Sequence, residues 1–112
     1  MKIKLEKYLL SDSTYLTGRR EGKDVRKKLK LDKEDKKKDE VIFQISKKIT
    51  GINVSFFLGL LEKSVKELSE ARFKEKYKFE YEDEETEELV AGDVAYGINE
   101  ALGENFDSWK LL

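Results

Sequence analysis

At 112 residues, of which 42% are charged and 38% apolar, the chain has material for one hydrophobic core and not two. Its 23 Lys and Arg against 24 Asp and Glu leave a net charge of −1, so no global field draws nucleic acid or membrane. Histidine, cysteine and proline are absent, which removes the usual neutral-pH general base, the familiar triads, thiolate metal sites, disulfides and rigid loops. Catalysis would have to rest on carboxylates, Lys, Arg or Tyr, and no enzyme, cofactor or metal site is expected. The alternating charges of Met1-Lys2-Ile3-Lys4-Leu5-Glu6 are unlike a signal peptide. The longest apolar run falls far short of a membrane span. A soluble, cytoplasmic single domain over 1–112 is therefore expected.

In chain order, Ile3 and Leu5 alternate with charges and predict an opening strand with one wet face, closed by the turn cluster Ser11-Asp12-Ser13 within 1–17. From Gly18 the spacing of Val25 and Leu29 predicts a short first helix with a thin apolar stripe. The charge run 32–39 reads as a solvated connector. Val41-Ile42-Phe43-Gln44-Ile45 is β-branched, aromatic and short, which predicts a buried central strand. Asn53 is a good N-cap for a helix whose core face is Val54, Phe57, Leu58, Leu61, Val65 and Leu68. Phe56 and Leu60 fall off that stripe. In 72–81, Phe73, Tyr77, Phe79 and Tyr81 share one parity and predict a third strand with an aromatic inner face. The acidic run 82–88 suits the positive end of a last helix through Leu89, Val90, Val94, Ile98 and Ala101, with Gly103 as C-cap. Gly92 and Gly97 within it suggest close packing. The tail 103–112, with Phe106, Trp109, Leu111 and Leu112, is apolar enough to dock. The expected architecture is a small α/β domain in β-α-β-α-β-α order, with helices packed on a mostly parallel sheet.

Several of these segments carry a resemblance. The stretch from Gly18-Arg19-Arg20-Glu21-Gly22 to Leu29 resembles the Arg-containing first helix of the STAS-like domain family of unknown function. Val41–Ile45 followed by Ile49-Thr50-Gly51-Ile52-Asn53-Val54-Ser55-Phe56 resembles that family's central strand, loop and Ser-Phe helix start, and Ala71–Glu80 its later strand. The resemblance runs from about Gly18 to Leu102. It implies a fold like that of sulfate-transporter and anti-sigma-factor-antagonist domains. In that wider group a serine at this helix start is phosphorylated by a partner kinase of the histidine-kinase-like ATPase fold, and Ser55 stands at the equivalent place. Asn53 stands where the wider group usually has Asp, Phe56 where it usually has Gly, and Gln44 replaces a common acidic residue. The fold therefore carries over more readily than the mechanism.

The candidate site residues follow from both readings. Ser55 either supports the helix start through its hydroxyl or acts as a switch, since a phosphate adds roughly −1.5 to −2 charge beside unpaired N–H groups. Thr50, Gly51, Asn53, Phe56 and Leu60 form the candidate partner surface. Phe56 and Leu60 are either covered by the C-terminal tail or exposed as an apolar patch, which could also serve as a homodimer contact. The implied partner is a histidine-kinase-like ATPase or an anti-sigma factor. Arg19 and Arg20 are candidate anion contacts, in a segment with eleven basic residues against five acidic between Arg19 and Lys38. No aromatic interleaves that segment, so a solvated face is favoured over nucleic-acid binding, the rival being a mobile-element accessory protein. The acidic run 82–88 lacks the spacing of a calcium loop.

Overall fold

The computed structural model describes residues 1–103. Strand β1 (Lys2–Lys4) leads into a single 3-10 turn (Leu5–Tyr8), then β2 (Tyr15–Leu16), α1 (Arg19–Leu29) and α2 (Leu31–Glu34). Next come β3 (Val41–Ile45), β4 (Gly51–Ile52), α3 (Val54–Lys76), β5 (Tyr77–Tyr81) and α4 (Glu84–Gly103). Strands β1, β3 and β5 form one parallel sheet in that spatial order, and β2 and β4 form a second, two-stranded parallel sheet. The α/β class is as expected. The chain adds to the expected elements the two short strands β2 and β4 and the helix α2.

Alternation explains the main sheet. Val41, Phe43 and Ile45 are buried with Ile3 and Tyr77, and Phe79 packs partly buried beside them. Their neighbours Lys2, Lys4, Lys78 and Glu80 are exposed, so the helices cover one face and the other carries charge. The aromatic side of β5 stacks inward, with Phe79 5.6 Å from Phe43 and 6.5 Å from Phe57. Burying a phenylalanine such as Phe43 contributes roughly 1.5–3 kcal/mol each time.

Three expectations need correction. Residues 72–76 are helical: α3 passes a break at Ser69 (φ 72°), resumes, and ends only where Tyr77 begins β5. Phe73 and Tyr77 are four apart, which suits a helix as well as a strand, and their rings stack at 4.9 Å across the junction. The charge run 32–39 is also not all connector. Lys30 adopts a left-handed conformation (φ 55°) that turns the chain into α2 and buries Leu31, Glu34 and Asp35. Finally, Gly92 has open space around it, whereas a Cβ on Gly97 would run into the Phe57 ring. The tail after Gly103 lies outside the described residues.

Helix α3 is central, with α1 on one side, α4 on the other and the sheet beneath. At the α1–α3 seam two glycines let backbones touch. A Cβ on Gly22 would collide with the Phe56 carbonyl and sit 2.9 Å from the Leu60 nitrogen. One on Gly59 would collide with the Arg19 carbonyl and sit 3.0 Å from the Lys23 nitrogen.

Candidate functional site

The junction between β4 and α3 is built by side chains that tie loops to helices. Asn53 caps α3, its Oδ1 accepting the Ser55 N–H at 2.8 Å. The Thr50 backbone N–H donates to the Thr14 carbonyl at 2.8 Å, and the two threonine hydroxyls meet at 2.7 Å. The Asn53 N–H donates to the Leu16 carbonyl, so β2 holds both ends of β4. From the other side, the Asp93 carboxylate on α4 accepts the Ile52 N–H at 2.8 Å. The outer part of the Tyr15 ring lies over Gly51, in the space a Cβ would take.

The solvent side of this junction is aromatic and apolar. Tyr15 is 52% exposed, and on α4 Leu89 and Tyr96 are 50% and 55% exposed. Leu89 and Tyr96 lie four residues before and three after Asp93, so they share its helix flank beside β4. Asn53 is exposed and Ser55 half-buried. The Ser55 hydroxyl has no hydrogen-bond partner among the described residues. Thr50, Gly51, Asn53 and Ser55 are thus brought together.

Phe56 and Leu60 are not part of that surface. They are 1% and 2% exposed, buried by α1 at the glycine seam rather than left as an apolar patch. A helix carrying an unbroken run from Phe56 to Leu61 is apolar on all sides and needs neighbours on all sides. That run was the available signal.

Sequence reasoning missed a buried polar knot at the opposite end of the sheet. Arg26 uses all five of its N–H donors: Nε and Nη2 to Asp32 (3.1 and 2.8 Å), Nη2 to Asp35 (3.1 Å), Nη1 to Ser64 and to the Leu60 carbonyl (both 2.9 Å). Ser64 donates to Asp35 Oδ2 at 2.5 Å, and the Tyr77 hydroxyl donates to Asp35 Oδ1. The Asp35 side chain is 2% exposed. Burial, reinforced by the Asp35 carboxylate, pushes the Tyr77 phenol well above its ordinary value. Hydrogen bonds from Arg26 and then Lys63 hold Asp32 below the usual carboxylate range. The left-handed Lys30 turn delivers both aspartates to Arg26, so the knot is a clasp fastening α2 and β5 to the α1–α3 pair.

Beside it, a cavity of about 570 Å³ opens between α1, α2 and α3, lined by Lys23, Lys27, Lys30, Lys33 and Lys63 over Leu58 and Gly59. Its two acids are already paired, Asp32 to Arg26 and Lys63, Glu62 to Arg19 at 3.2 Å. Among the described residues Glu62 Oε2 is buried without a hydrogen bond, with the Lys66 ammonium at 3.5 Å as its ion-pair partner. Arg19 therefore meets a carboxylate of its own chain, and Arg20 is exposed. At the carboxyl ends of the main sheet, a cleft of about 260 Å³ is lined by Glu6, Glu80 and Glu82 against the cation Lys4, a balance that disfavours phosphate.

Among the described residues no group of acidic side chains is arranged to hold a metal ion, and no helix is long and apolar enough to cross a membrane. The chain matches no family model, no curated protein and no solved structure. The resemblance to STAS-like domains stands on its own residues alone.

Proposed function

We propose that this chain is a non-enzymatic regulatory module that binds a protein partner through the β4–α3 junction, with Ser55 as its switch. The observation that carries this reading is the unengaged Ser55 hydroxyl at the start of a capped helix, beside a surface bearing Tyr15, Leu89 and Tyr96. A phosphate there would sit by the positive end of the α3 dipole and add charge to a surface that carries aromatic side chains beside Asp93. The resemblance to STAS-like domains points to a histidine-kinase-like ATPase or an anti-sigma factor as partner.

The test uses such a kinase with ATP, followed by mass spectrometry and a binding titration. Phosphate on Ser55, with binding weakened by Ser55→Asp and by Tyr15→Ala but kept by Ser55→Ala, is the expected result. An unmodified Ser55, together with binding indifferent to Tyr15→Ala and Tyr96→Ala, would sink it.

A second reading has its own observation. Lys23, Lys27, Lys30 and Lys33 line the α1 cavity with no ion-pair partner among the described residues, so an accessory protein that contacts phosphates would use that face. A mobility shift at low salt that disappears on neutralising Lys23, Lys27 and Lys30 supports it; no shift at low salt removes it.

A further inference from the structure

Strand β5 closes one side of the main sheet, and no described strand pairs with its far edge. Backbone parity identifies what that edge presents. The Ile42 N–H donates to the Met1 carbonyl, so residues 42 and 44 of β3 face β1. The Glu82 N–H donates to the Ile45 carbonyl, so residues 78, 80 and 82 face β3, while 77, 79 and 81 turn their backbone outward. The Tyr77 N–H is already held by the Phe73 carbonyl. The edge therefore offers the N–H and C=O of both Phe79 and Tyr81 and the C=O of Tyr77.

We propose that this edge pairs antiparallel with β5 of a second copy of the chain, about a two-fold axis at Phe79. The sequence Tyr77-Lys78-Phe79-Glu80-Tyr81 is self-complementary in that register. Phe79 opposes itself as a hydrogen-bonded pair, and each Tyr81 N–H reaches the Tyr77 carbonyl of the other copy. The Tyr77 N–H stays with the Phe73 carbonyl, so the Tyr81 carbonyl opposite it is left to water. On the exposed outer face Lys78 of each copy lies opposite Glu80 of the other, in the closer, non-hydrogen-bonded type of pair. Parallel pairing would instead set Lys78 against Lys78. Phe79 and Tyr81, only partly buried in one copy, gain cover from their counterparts. The result is a continuous six-stranded sheet, and a self-association surface distinct from the β4–α3 junction.

Sedimentation equilibrium over roughly 10 μM to 1 mM protein measures it. A reversible dimer is expected, weakened about tenfold or more by Lys78→Glu or by Glu80→Lys, because each change puts two like-charged pairs across the axis. The double change Lys78→Glu with Glu80→Lys restores the pairing and the wild-type affinity. Both side chains are exposed, so far-UV circular dichroism should be unchanged throughout. Amide exchange adds a local readout: the Phe79 and Tyr81 amides become protected as protein concentration rises. A monomer at every concentration overturns the proposal. So does a dimer indifferent to the single changes, or a double change as weak as either single one.

Discussion

The two ends of the main sheet handle polar groups in opposite ways. At the amino end, around Tyr77, an arginine, an aspartate, a serine and a phenol are taken out of water together, and every donor of Arg26 is matched to an acceptor. At the carboxyl end, around Ser55, a hydroxyl is left unengaged and aromatic rings face outward. A buried group of this kind is costly to disturb and therefore fixes geometry, whereas an unengaged, half-buried hydroxyl is cheaper to modify and therefore suits regulation. The comparison separates what holds this fold together from what it offers to other molecules.

The sharpest way to break that contrast is Arg26→Ala. It strands the buried Asp35 carboxylate, and a loss of about 3–5 kcal/mol in a denaturant titration is expected. Gly59→Ala should cost about 1–3 kcal/mol in the same titration, because the added methyl meets the Arg19 carbonyl and forces the two helices apart. The amino end also sets an alkaline limit. Tyr77 is raised by burial and the Asp35 carboxylate, while Tyr81, toward the other end, is pushed up to about 12 by burial, Glu87 and Asp93. In both cases the folded phenol keeps its proton where the unfolded one, near 10.0, gives it up. That contribution is complete below about pH 10 and shrinks as pH rises toward 12, so urea midpoints should fall across that window.

At the carboxyl end the effects are smaller. Asn53→Ala removes the α3 cap and should cost about 1 kcal/mol. Ser55→Ala should change stability by less than about 0.5 kcal/mol, since its hydroxyl engages nothing described. A larger loss for Ser55→Ala than for Asn53→Ala would erase the distinction between the two ends.

Much of the fold was legible because its elements are periodic. Val41–Ile45, the Asn53 cap and the helix through Ala101 carry their own local signals. The strand 72–81 was half misread because Phe73 and Tyr77 satisfy both periods, and the break at Ser69 hides a helix that resumes. Strands of two residues, β2 and β4, are too short to leave a pattern. The knot was invisible for a different reason. Arg26 sits in a run of basic residues, and its partners lie 6, 9, 34 and 38 positions away, a relation that only the tertiary fold creates. Of the candidate surface, Asn53, Ser55, Thr50 and Gly51 are local to one junction and were found together, whereas the burial of Phe56 and Leu60 depends on where α1 lands.

The glycine seam has a consequence for how this chain can vary in length. Gly22, Gly59 and Arg26 engage the same face of the α1–α3 pair within little more than one helical turn. Inserting one residue between Gly22 and Arg26 would swing the following turn by about 100° and take the guanidinium away from Leu60 and Ser64. Insertions and deletions should therefore be confined to exposed turns such as 10–12, leaving the spacing from Gly22 to Arg26 as fixed as a screw thread.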